Sequence, residues 1–331
     1  MNRMKRLNKV FNRSLSRSFK WIVVFGIVFI LLCTYFFVPR VIVEIQNPVV
    51  GFIKRVVDDS GKGNKINPSL KGEKVNWESS DSLTLTAVLN YSQMDKVEDT
   101  DVDISKGTVV LLHGIRSSKN QFIEVVDSLG KAGFTSIAVD LRAHGESEGD
   151  FCTFGVNEKQ DLVALLDALE KKNKLNPPVL LWGQSLGAAV GLQTMAIDDR
   201  IKGAIIESTF CDFSSIVHDY FGFHLGVNNE FLSRFMVDRA GSVGGFDPKQ
   251  ASPLTACKSI RAPVLLVHGT QDRRISIDYA RQNFKALKSH QKELLEIAGA
   301  THLNVWQAGG KEYFKKALAF LSNVKTGSDG K

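Results

Sequence analysis

Pro178-Val179-Leu180-Leu181-Trp182-Gly183-Gln184-Ser185-Leu186-Gly187-Ala188-Ala189-Val190-Gly191-Leu192 is the stretch whose reading decides the fold. An apolar run of strand character enters the pentapeptide G-x-S-x-G, and a run of helix character leaves it. The pentapeptide alone is a weak signal, because serine and small residues often co-occur by chance. Between a strand and a helix, it describes a sharp turn that forces one serine into a strained, exposed conformation. Glycines stand two residues to either side because a side chain there would collide with the neighbouring strand or helix. The helix start aims free N–H groups at the same spot, where negative charge is stabilised. Ser185 is therefore a candidate nucleophile. The plainer alternative is a glycine-flanked serine in an ordinary strand–helix turn.

Working outward, short apolar runs alternate with amphipathic segments. Thr108–Leu112, Thr135–Val139, Val179–Trp182, Ile201–Ile206, Val264–Val267 and Glu293–Ile297 read as strands. Gln121–Ala132, Val156–Lys171, Ala188–Met195 and Lys311–Ser322 read as helices. Val75–Ser79 and Leu83–Tyr91 suggest an opening antiparallel pair. This alternation predicts an α/β fold, a mainly parallel sheet with helices on both faces. Between Ser208 and Pro253 the rhythm breaks, and aromatic residues accumulate, among them Phe221, Phe223, Phe231 and Phe235. They imply helices packed over something, a small cap at about residues 209–253, or else a helical excursion that buries its own face.

The net charge of +7 looks like a signal for nucleic acid or membrane, but its location argues otherwise. Residues 1–40 hold eight Lys/Arg and no acid, leaving 34 basic against 35 acidic residues in the remainder. No basic patch for a phosphate backbone is implied, and no nucleic-acid partner. Trp21–Val38 is an uncharged 18-residue stretch, about 27 Å as a helix against a bilayer core of about 30 Å. Its end, Tyr35-Phe36-Phe37-Val38-Pro39, lacks the small residues of a cleavage site, so an uncleaved signal anchor is expected rather than a signal peptide. Seven basic residues before the span hold the N-terminus in the cytoplasm and put the rest of the chain on the non-cytoplasmic side. The organisation then reads as a basic tail (1–20), a single-pass transmembrane helix (21–38) and a stalk (39–71). A catalytic domain (72–322) and a polar tail (323–331) follow. Cys152, Cys211 and Cys257 lack C-x-x-C spacing, so zinc and thioredoxin-type chemistry are unsupported.

Five motifs in order carry a resemblance: Leu111-Leu112-His113-Gly114, Asp140-Leu141-Arg142-Ala143-His144-Gly145-Glu146-Ser147, the elbow, Val267-His268-Gly269-Thr270-Gln271-Asp272, and Gly299-Ala300-Thr301-His302. In this pattern residues 73–322 resemble the α/β-hydrolase superfamily, most closely its membrane-anchored BEM46-like and serine aminopeptidase-like/monoglyceride lipase members. Ala143 departs from the glycine common in relatives, outside the catalytic set. The resemblance implies an α/β-hydrolase fold with a Ser–His–acid triad. Among seven histidines, only His302 follows the last strand and is also the last in the chain, which makes it the expected base. Asp272, ending the strand-and-turn Val264–Gln271, is the expected acid, with Glu207 after the preceding strand as a competitor. The backbone N–H groups of Ile115 and Leu186 are the expected oxyanion donors. Arg116 and Lys119 beside that loop read as solvated charges.

The sequence thus describes a membrane-anchored serine hydrolase of carboxylic esters, with an acyl ester or lipid as the small-molecule substrate. No metal or cofactor is called for, because no H-E-x-x-H, phosphate loop or dinucleotide fingerprint accompanies the strand ends. The cap aromatics are expected to wall an acyl pocket beside Ser185. Peptide or amide hydrolysis is the first alternative, since related aminopeptidases share the triad. A non-catalytic binding scaffold is the second.

Overall fold

Strands β1 (Glu73–Glu78) and β2 (Thr84–Asn90) form the expected antiparallel opening, and β2 pairs antiparallel with β4 (Thr135–Asp140). From there the sheet is parallel through β3 (Thr108–Leu112), β5 (Val179–Gln184), β6 (Ile201–Glu207), β7 (Val264–Gly269) and β8 (Lys292–Ile297). The order across the eight strands is β1-β2-β4-β3-β5-β6-β7-β8. This computed structural model describes residues 2–46, 69–93 and 105–324. Most of the expected stalk and nearly all of the polar tail therefore lie outside the described residues.

The interior strands are buried along their whole length, which is why they read as continuous apolar runs and not as alternations. Their side chains still divide between the two faces with a period of two. Val109 and Leu111 join one core with Trp182 and helices α3 (Ile123–Ala132) and, at the end of the chain, α10 (Val305–Asn323). Val110 and Leu112 join the other core with α4 (Glu158–Lys171) and α5 (Leu186–Met195). Chain order thus leaves every strand C-terminus of the parallel part on one edge, and all the loops that matter below open there.

The 209–253 segment forms two helices, α6 (Phe213–Leu225) and α7 (Glu230–Gly244). Asp212 and Asn229 cap their N-termini by accepting from Ser215 N and Leu232 N. Both helices end at a left-handed glycine, Gly226 and Gly245. On α7 the buried face is Ser233, Met236, Val237, Ala240 and Gly241, the spacing of a single helical stripe. A short helix, α8 (Pro253–Cys257), leads back to the sheet.

Two features differ from the sequence reading. Helix α9 (Ile277–Ala286) crosses from β7 to β8, where a parallel pair requires a crossover; its sparse apolar face hid it. The first residues of the expected stalk are not a stalk. Helix α1 (Asn2–Phe36) passes through Phe37, at helical dihedrals, into α2 (Val38–Val43), which packs on the domain with Val43 wholly buried. Phe19–Val43 is long and apolar enough to cross a membrane, its 18-residue window reaching a mean hydropathy of 2.7. Cys152, Cys211 and Cys257 are free and buried.

Candidate active site

The elbow has the geometry that its glycines imply. Ser185 sits at φ 53°, ψ −113°, a region that side chains avoid. A Cβ on Gly187 would stand 2.0 Å from Leu112 O, and one on Gly183 would stand 2.5 Å from Gly187 O. Ser185 N donates to Glu207 O at 2.8 Å, fixing the turn to β6. Leu186 is the first residue of α5, so its N–H has no carbonyl four residues back within the helix.

Two loops bring the other expected residues to this turn. The loop after β7 and the loop after β8 are zipped together: Thr270 N donates to Ile297 O and Gln271 N to Ala300 O. Gly269 permits that approach, since a Cβ there would lie 2.4 Å from Ala300 O. The result is a hydrogen-bonded line. His302 Nε2 lies 3.1 Å from Ser185 Oγ, and His302 Nδ1 lies 2.7 Å from Asp272 Oδ2. Asp272 Oδ1 accepts from Arg274 N at 2.9 Å and Ile275 N at 3.0 Å. All three side chains are nearly buried, each residue under 9% exposed. Burial alone would raise the Asp272 carboxyl; hydrogen bonds from His268, His302 and Ile275 outweigh it and hold the carboxyl well below the usual carboxylate range. With Asp272 ionised, Nδ1 of His302 is the donor, which leaves Nε2 free to accept the serine proton.

The loop after β3 closes the other side. A Cβ on Gly114 would lie 3.5 Å from Ser185 Cβ, so the loop that leads into Ile115 passes beside the turn. His113 is structural: Nδ1 donates to Gly114 O, Nε2 accepts from Leu141 N, and burial beside His144 lowers its pKa to about 3. Lys119 is not a solvated charge: it is buried and pairs with Asp140, whereas Arg116 is exposed and donates to Val41 O of α2. Their partners lie far away in sequence, which is why the loop alone could not reveal them.

Glu207, the competing acid, is engaged elsewhere. It is fully buried, accepts from Trp182 Nε1 at 2.7 Å and Trp306 Nε1 at 2.8 Å, and is hydrogen-bonded to Tyr313. Burial raises its pKa against those bonds. It ties the strand that ends in the serine to the helix that follows His302. A lone glutamate ending an apolar strand was the signal for such a clamp. The cap aromatics depart from expectation. Phe221 is buried, and Phe223, exposed, lies near Arg274 of the Asp272 loop. Phe235 packs on Tyr35 of α1 and Phe231 is 83% exposed, so these last two do not wall an acyl pocket beside Ser185.

The fold agrees with that of other proteins. The family model described as "Serine aminopeptidase, S33" matches residues 103–253. The alpha/beta hydrolase domain-containing protein WAV2 of Arabidopsis thaliana is 27% identical over 198 residues, spanning 55% of this chain and 59% of that protein. The Bacillus subtilis protein YqkD is 23% identical over 226 residues, 67% of this chain and 73% of its own. Among solved structures, the Pyrococcus furiosus esterase Pf2001 superposes with a TM-score of 0.63 at 23% identity, covering 79% of this chain and 95% of the esterase. The chain has the α/β-hydrolase fold, and its residues 103–253 are similar to the serine aminopeptidase family.

Proposed function

We propose that the protein is a membrane-anchored serine hydrolase that cleaves carboxylic esters through Ser185, His302 and Asp272. The observation that carries this reading is the continuous hydrogen-bonded line from Asp272 through His302 to a serine held at positive φ. Ser185 Oγ attacks the acyl carbonyl as its proton passes to His302 Nε2. Asp272 orients the ring and stabilises the imidazolium. Ile115 N–H and Leu186 N–H donate to the oxyanion. Collapse expels the alcohol, which takes the proton from His302, and leaves an acyl-enzyme. Water repeats the sequence: it gives a proton to His302, attacks the acyl carbon, and the acid leaves as Ser185 is reprotonated.

The superfamily and an esterase of the same fold support hydrolysis as the class of reaction. The apolar helix supports the anchor and, with it, an ester of lipid character. Peptide hydrolysis is the second reading, favoured by the description of the family model. A scaffold without activity would have no use for the strain at Ser185. Fluorophosphonate labelling of the wild type beside Ser185→Ala tests the nucleophile, and the variant should lose turnover by a factor on the order of 10⁶. Nitrophenyl esters of two to sixteen carbons, run beside aminoacyl-nitroanilides, test the bond. Faster cleavage of the anilides moves the assignment to a peptidase, and absence of labelling in the wild type ends the hydrolase reading.

A further inference from the structure

Helix α1 does not leave the domain on a free tether. Beyond Phe37 the chain runs along α7. The Tyr35 ring stands 6.0 Å from that of Phe235, and the Arg239 guanidinium lies over Tyr35 at 4.2 Å. Further on, Val43 is buried against Gly244, where an added Cβ would stand 3.7 Å from Val43 Cβ. Val43 O accepts from Cys152 N at 2.8 Å, and Glu44 forms a β-bridge with Phe151. The attachment therefore involves both rings and backbone.

These contacts also fix a direction. Val43 meets residue 244, whereas Tyr35 meets residues 239 and 235. Moving back along α1 toward its apolar stretch thus means moving toward the N-terminus of α7. Phe231, Phe235 and Arg239 follow one another at four-residue spacing, on one stripe of that helix. Phe231 lies one turn beyond Phe235, about 6 Å further along the apolar helix. At 83% it is the most exposed large apolar side chain among the described residues. Glu230 and Arg234 pair beside it at 3.3 Å, giving the tip a charged rim. An isolated exposed phenylalanine needs no explanation; this one stands level with the uncharged helix to which its own helix is bolted.

We propose that the tip of the α6–α7 hairpin, residues 226–235, is seated in the surface of the lipid bilayer that α1 enters, with Phe231 inserted among the acyl chains. The proposal rests on α1 being a membrane span. Glu230, Arg234 and Arg239 then lie at headgroup level, where long charged side chains keep their ends in water. The cap is a membrane-contacting surface, and Phe231 has its apolar partner outside the protein.

The test uses the full-length chain with Cys33→Ser, reconstituted in phosphatidylcholine nanodiscs. The fluorophore NBD is attached singly at Phe231→Cys, at Phe29→Cys within the span, or at Ser242→Cys on the far end of α7. Spin-labelled lipids should quench the probes at 29 and 231 and spare the one at 242. Quenching at 29 without quenching at 231 overturns the proposal while leaving the span in place. No quenching at either position overturns both together. A probe at 231 that is shielded from water yet not quenched by lipid reveals a protein occupant, which also overturns it. In activity, Phe231→Asp should slow hydrolysis of an ester embedded in vesicles by about tenfold or more and leave a water-soluble acetyl ester unchanged. An equal loss on both substrates would mean that Phe231 serves the fold of the cap, and the proposal fails.

Discussion

The strand–turn–helix at Ser185 and the cap formed by α6 and α7 are built by opposite rules. At the turn, backbone approaches backbone so closely that one added carbon at Gly183 or Gly187 would overlap a carbonyl oxygen. On α7, only small and medium residues face inward and the large aromatics at 231 and 235 face out. The turn fixes the positions of atoms; the cap presents a surface. Sequence reports the first kind of construction well, because only glycine satisfies it. It reports the second poorly, because a phenylalanine reads the same whether it faces a core, a pocket or a lipid.

Substitutions can break that contrast. Gly187→Ala should be the most damaging to stability, by about 3 kcal/mol or more, because neither Leu112 O nor the turn can retreat without unpairing the sheet. Urea unfolding checks it, and an unchanged midpoint would show the turn to be far softer than its contacts imply. Glu207→Ala should cost about 2–3 kcal/mol by stripping the acceptor from Trp182, Trp306 and Tyr313. It should also lower kcat more than it raises KM, because the loop carrying His302 loses its tie to the serine strand. If Glu207→Ala abolishes turnover while Asp272→Ala leaves it intact, the acid has been assigned to the wrong residue.

A subtler contrast is in pH. Asp272 is held below its unfolded pKa of about 3.9, so its contribution to stability is present above that pH and is lost as pH falls through the lower folded value. The stability gap between wild type and Asp272→Asn should therefore narrow on acidification from pH 6 to pH 3. A gap that widens would reverse the sign of the argument. The smallest effect is expected on the outer stripe of the cap. Phe231→Ala should change stability by no more than about 0.5 kcal/mol in detergent. A loss above about 1 kcal/mol would mean that the ring packs within the chain.

The fold was largely legible because its central strands are buried on both faces and its turns demand glycine. Ser185 followed from Gly183 and Gly187. His302 and Asp272 followed from their order after β8 and β7. What escaped the sequence depended on partners distant in the chain. Lys119 finds Asp140 and Arg116 finds Val41, pairings that no local pattern announces. Helix α9 was missed because its buried face includes little beyond Ala280 and Asn283. Most of helix α2 was read as the start of the stalk, since Val41, Ile42 and Val43 look alike whether they lie in a linker or pack on α7.

The docking of α2 directly after α1 has a mechanical consequence. The buried Val43 lies seven residues beyond the end of α1 at Phe36, a rise of about 10 Å. With no slack in that interval, the domain has one height and one azimuth relative to the axis of α1. With the proposed anchor in a bilayer and the proposed lipid-like ester, its motion reduces to drift and spin within the plane, and encounter with substrate becomes a two-dimensional search. Turnover should then follow the mole fraction of substrate in its own leaflet, not the amount in the surrounding volume. Vesicles that lack the enzyme should be out of its reach.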